Sequence, residues 1–210
     1  QLDGVAKAYY ADGILRSESL YENGKLNGKV KEYRPNGQLH YEREYMDGEE
    51  NGMAKEYAPE GYIIRTTEFV DGSQEGIVRE YDEGGRLLRA FEASNGIPKG
   101  TIKEYYLTGN LKSESIVTDK QRGMGKLKEY YQTGELWREV NVKNEQRHGL
   151  FREFYKNGAV KTIGDYRNNE RDGTFKTYFS SGQLKTEVVY EKGAKITFKT
   201  YDEQGFPVIE

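Results

Sequence analysis

The chain of 210 residues contains no cysteine, which excludes disulfides, thiolate nucleophiles and cysteine-based zinc sites and leaves the redox compartment unread. Two histidines, His40 and His148, are too few and too far apart in sequence for a histidine-rich metal site, so no metal and no cofactor is expected. Proline is scarce, at four residues, and tryptophan occurs once. No window approaches the roughly 18 consecutive apolar residues of a spanning helix, so no integral membrane segment is expected. A nucleophile elbow, a P-loop, an HExxH helix and a Gly-x-Gly-x-x-Gly strand-helix turn are all missing, which argues against an enzyme.

What remains is distinctive: 18 Tyr and 25 Gly in a chain that is 32% charged and 35% hydrophobic. This composition suits turn-rich β structure in which tyrosine carries much of the packing, rather than disorder. The net charge of −3 is a poor fit to general nucleic-acid binding. Charge is also uneven, with 19 acidic and 13 basic side chains in residues 1–99 against 16 and 19 in the remainder.

A unit of the form Gly-x-x-(Lys/Arg)-x-(Tyr/Phe) recurs from end to end. It starts at residues 4, 28, 52, 76, 100, 125, 149 and 173, every 24 residues with one extra before Gly125, and a partial copy spans 196–210. Counted from its first glycine, position four is always basic (Lys7, Lys31, Lys55, Arg79, Lys103, Lys128, Arg152, Lys176, Lys199). Position six is always aromatic and position ten always glycine. The whole chain reads as one array of about eight full hairpin repeats, an all-β, elongated, twisted single antiparallel sheet.

Pairs such as Asn36-Gly37 and Asn157-Gly158 mark positions nine and ten as a two-residue type I′ turn within each repeat, with a looser link such as 71–76 between repeats. That turn predicts facing positions that sum to nineteen. Lys31 then faces Glu42, Lys103 faces Glu114, Lys128 faces Glu139 and Lys176 faces Glu187, while Tyr130 meets Trp137 and Tyr33 meets His40. The other face is predicted to carry positions three, twelve and eighteen as the apolar stripe. Two strands per repeat at about 4.8 Å each give a ribbon on the order of 80 Å long, whose last copy, with Pro207 in place of leucine, suits a terminal cap.

The pattern Gly-x-x-Lys-Glu-Tyr-Tyr-x-x-Gly-x-Leu-Lys-x-Glu, best kept in residues 100–114, 125–139 and 173–190, resembles the MORN repeats, and most closely the bacterial variant of the YwqK family of antitoxins and immunity proteins. Tyr81-Asp82 and Tyr201-Asp202 also resemble the YD repeats of large toxin shells, but the other units lack that aspartate. Choline-binding repeats rely on tryptophan cages, which a single tryptophan cannot build. The resemblance implies a β scaffold that binds a protein, namely a toxin encoded next to it. The alternative is a structural or membrane-proximal scaffold that self-associates, so a homo-oligomer is compatible with the array. The resemblance implies a bacterial protein, and the start at Gln1 without methionine points to export to the periplasm or cell envelope.

A residue required in every copy is more often packing than recognition, so partner contacts are sought where the repeat is broken. Trp137 with Arg138 beside it, together with Tyr106, Tyr130, Tyr131 and Tyr155 from the doubled aromatics, has hot-spot composition in the more basic half. Glu42, Glu44, Glu49 and Glu50 in the acidic half are suited to a basic partner surface.

Overall fold

A computed structural model describes residues 2–208. The described chain is all-β, with 20 strands in an open antiparallel sheet and no helix. Each full repeat supplies a first strand such as Gly52–Tyr57 and a second such as Ile63–Val70, both half-buried along most of their length. Backbone contacts divide the chain into two units, Gln1–Ile102 and Lys103–Glu210.

In both units the turns are the reverse of what the sequence predicted. The turn inside each repeat is a three-residue loop, not a two-residue type I′ turn. In the second repeat Gly37 N–H donates to the Arg34 carbonyl and Arg34 N–H to the Gln38 carbonyl, and this pattern recurs in every repeat. Gly37 has φ 83°, but Asn36 keeps an ordinary negative φ. Asparagine is there for its side chain: Asn36 Oδ1 accepts from Gln38 N at 3.1 Å, and Asn157 Oδ1 from Ala159 N at 3.0 Å. The type I′ turns lie between repeats, where Asn23-Gly24 (53° and 81°), Asp47-Gly48 (52° and 95°) and Asn168-Asn169 (50° and 70°) have both central residues at positive φ. The supposedly loose links are therefore the tighter connections. They also stack, since Gly48 N–H reaches the Leu26 carbonyl, Gly72 that of Glu50 and Gly193 that of Arg171, each one repeat back.

The three-residue loop sets the register. Positions one to five pair as predicted, with Lys31 opposite Glu42, Lys128 opposite Glu139 and Lys176 opposite Glu187. Between positions five and six the register steps by one, so Tyr33 faces Leu39 and Tyr130 faces Leu136. His40 and Trp137 are the extra, bulged residues and meet neither tyrosine across the strand.

The apolar stripe is correspondingly different from the predicted one. Positions three and eighteen belong to it, but position sixteen joins them in place of twelve, which the bulge has set against the aromatic at six. In the first unit Val78, Phe91 and Ala93 are buried together with Ile102 packed against them. In the second, Val140, Tyr166 and Phe175 are buried against Leu127, Val142, Phe151 and Tyr190. Four of these rings form an edge-to-face chain, Phe151, Tyr166, Phe175 and Tyr190, with centroids 5.4 to 5.5 Å apart. Gly164, at position sixteen, makes room for it, because a Cβ there would sit 2.5 to 2.6 Å from three atoms of the Phe175 ring.

Two substitutions test this geometry. Gly164→Ala is expected to destabilise the fold by about 1–3 kcal/mol through overpacking, visible as a lower Tm. Glu145 occupies the second left-handed position of its turn, at φ 64°, so Glu145→Gly is expected to stabilise by about 1 kcal/mol in chemical denaturation.

Candidate partner-binding surfaces

The sheet has two unlike faces. On one, the basic position four and the acidic position fifteen face each other both within a repeat and across to the next, as Glu42 with Lys55 and Glu139 with Arg152 show. The ladder therefore runs across the strands of each unit rather than stopping at hairpin pairs. Its ion pairs are shared in a way the register alone does not show. Glu42 lies between Lys29 (3.6 Å) and Lys55 (3.3 Å), and Glu139 between Lys126 (3.5 Å) and Arg152 (3.3 Å). Burial opposes ionisation of Glu42, but the bonds and charges of Lys55 and Lys29 outweigh it and hold the carboxyl below its ordinary pKa. Tyr130 belongs to this face, where its hydroxyl donates to Glu114 Oε2 at 2.7 Å. Burial, that hydrogen bond and the charge of Glu114 push its pKa up to about 12.

The opposite, core face carries a second row that the sequence reading missed, in which position five faces fourteen. It runs Glu32, Tyr41, Glu56, Arg65, Glu80 and Arg89 in the first unit. In the second it includes Glu129, Arg138, Glu153, Thr162, Thr177, Thr186 and Thr200. The signal lay in the frequent glutamate at position five, but position fourteen varies too much for a pattern search to pair the two.

Trp137 sits half-buried on this core face. Its ring is 6.1 Å from Tyr131, the Arg138 guanidinium stacks on it at 4.2 Å, and its Nε1 donates to Glu153 Oε1 at 3.4 Å. Arg138 is further held by two bonds to Glu129, and Lys161 Nζ binds Glu153 at 2.9 Å. Lys156 lies 5.5 Å above the Tyr131 ring. Trp137, Arg138 and Tyr131 are thus brought together, whereas Tyr130 is placed on the other face.

The second tyrosine of each doubled aromatic also has a structural task. Tyr106, Tyr131 and Tyr155 donate their hydroxyls to the carbonyls of Tyr130, Phe154 and Tyr178, one repeat on, at 2.7 to 2.9 Å. Tyr10 and Arg34 make the same bond at 2.6 Å in the first unit. The donor at position seven is a lateral staple between repeats.

The four N-terminal acids do not form one patch. Glu50 is engaged on the core face by Arg43 at 3.4 Å and Tyr45 Oη at 3.0 Å, while Glu42 belongs to the ladder. Glu44 and the exposed Glu49 have no ion pair among the described residues. Among those residues, no group of three His, Asp or Glu side chains is arranged to hold a metal.

A family model described as a MORN repeat variant matches residues 2–23, 26–47, 98–117, 125–144, 147–168 and 171–192, more than half of the chain. The chain belongs to the MORN repeat variant family. Successive matched segments are separated by the inter-repeat links, so the family unit corresponds to one hairpin. The MORN array continues through the unmatched third and fourth repeats, where strands Gly76–Tyr81 and Leu87–Ser94 still pair although Thr66 and Ala90 replace the ladder glutamate. Nothing among curated proteins matches the chain. A crystal structure titled TcdB2-TccC3-Cdc42 is similar at 14% identity and a TM-score of 0.26, over 94% of this chain and 13% of that one. The array therefore spans about an eighth of the length of that chain.

The Tyr130 geometry has an alkaline consequence. A phenol whose pKa rises from 10.0 to about 12 on folding contributes stability in full below pH 10 and loses it as pH climbs through 12. Tyr130→Phe is expected to delete one phenol from the late end of the phenolate absorbance titration. Loss from the main wave near pH 10 instead would show that Glu114 does not hold it.

Proposed function

We propose that this MORN array is a non-catalytic protein-binding scaffold that neutralises a cognate bacterial toxin by direct contact. The observation that carries this reading is the division of labour between its residues. Side chains present in nearly every repeat are spent inside the sheet, as ladder partners, ring packing or lateral staples. Those that depart from the repeat, Trp137 with Arg138 and the unpaired Glu44 and Glu49, remain half-buried or exposed on the sheet surface. A large sheet surface studded with a few amphipathic and charged departures suits the recognition of another protein. Membership of a repeat family supports the scaffold part of the reading. The toxin rests on the resemblance to the YwqK branch, and an exported location accompanies it as part of the same proposal.

Co-expression with the product of the adjacent reading frame tests it. A stable complex and rescue of growth are expected. Absence of a complex at micromolar concentration, or a neighbour that is harmless when expressed alone, would overturn the toxin assignment. Within such a complex the paired Glu44→Lys and Glu49→Lys changes are expected to weaken binding at least tenfold, while Glu42→Lys should lower Tm first, since it puts a third cation between Lys29 and Lys55.

A further inference from the structure

The core face of the second unit holds a row of cations that nothing in the sheet neutralises. Arg147, Arg171 and Lys195 occupy equivalent places in successive links, opposite Val142, Tyr166 and Tyr190 across the strand pairs. All three are exposed, and none forms an ion pair among the described residues. The threonines at positions five and fourteen, Thr162, Thr177, Thr186 and Thr200, supply no acid to this end of the face. Asp172 is already taken by Arg167 at 2.9 Å. In the first unit the same place is held by Leu26, Glu50, Gln74 and Pro98, so the row is a property of the second unit alone.

Each cation lies against an aromatic ring of this face. The Arg147 guanidinium lies 4.5 Å from the Tyr166 centroid, and Arg171 lies 5.0 Å from Phe175 and 5.2 Å from Tyr190. Arg171 also donates to Tyr190 Oη at 2.7 Å, and Lys195 Nζ is 3.7 Å from the Phe198 centroid. Held beside a ring, each guanidinium keeps N–H donors to offer, in Arg171 those not given to Tyr190. Carboxylates bind a guanidinium fork in two-point fashion, and prior orientation lowers the entropy lost on binding.

We propose that this row is a docking site for an acidic, extended polypeptide that carries a carboxylate at every third residue. One link follows another every two strands, so the cations are spaced by about 9.6 Å. Three residues of polyproline II advance about 9.3 Å and return to the same side of the chain. Two turns of α-helix advance about 10.8 Å, and alternate residues of a β-strand about 6.7 Å, so either falls out of step within three sites. The proposal takes from the scaffold reading only that the occupant is a polypeptide, and it needs no toxin.

Fluorescence anisotropy of the full chain tests it with two labelled peptides: four Glu-Pro-Pro triplets, and the same residues with the four glutamates contiguous. The regular peptide is expected to bind at least tenfold more tightly. Arg171→Gln and Arg147→Gln should each lower its affinity about tenfold in protein that circular dichroism shows to be folded at the assay temperature, with Arg171→Lys intermediate. Equal affinity for the two peptides, indifference to both glutamine variants, or stronger binding to phosphatidylserine vesicles than to the peptide would each overturn it. A failed toxin co-purification would leave these results standing, and the converse also holds.

Discussion

A residue with a Cβ strains when its backbone is forced to positive φ, and only glycine, or to a lesser degree asparagine and aspartate, escapes most of that cost. The MORN array places such residues at both ends of its strands. A single left-handed glycine closes the loop within each repeat, and a left-handed pair closes most links between repeats. With both connections this short, each strand can only lie antiparallel to its immediate neighbours in sequence, and its register has no freedom to slip. Every row of side chains on either face follows from that constraint.

The rows explain why so polar a chain folds as a single layer of strands. A cross-strand ion pair of half-exposed groups is worth only about 0.2–1 kcal/mol. Here Glu42, Glu114 and Glu139 each serve two cations, one of them from the next repeat, so a repeat gains from its neighbours what it lacks within itself. The position-seven staples and stacked turns couple neighbours in the same way. On the core face, rings such as Phe175 and Tyr166 are buried to 3% and 8% exposure although no second layer is needed to account for it: flanking arginine stems and edge-to-face rings cover them. Stability in such an array is a sum over nearest neighbours, and variable positions are freed for recognition.

The fold class and the Lys–Glu facing pairs were legible in the sequence because each rests on residue types repeated at one spacing. The turn assignment was not. Asn36-Gly37 and Asn23-Gly24 are the same dipeptide, yet one asparagine acts through its side-chain oxygen and the other through its left-handed backbone. From that single ambiguity came the missed bulge, the mistaken meeting of Tyr130 with Trp137, and the choice of position twelve over sixteen for the stripe. Position sixteen, which runs from Ser19 and Arg43 to Phe91 and Gly164, offers no pattern to find.

The sequence by itself determined that hairpins repeat every 24 residues, which side chains recur and how charge is divided between the halves, since these depend only on local turn chemistry and spacing. Tertiary structure decided which residues share a face and which carry a partner already. One bulged residue per hairpin exchanges faces, and a cation such as Arg171 meets Tyr166 across the strand pair instead of an acid. Such facts are relations between strands, and no single strand contains them.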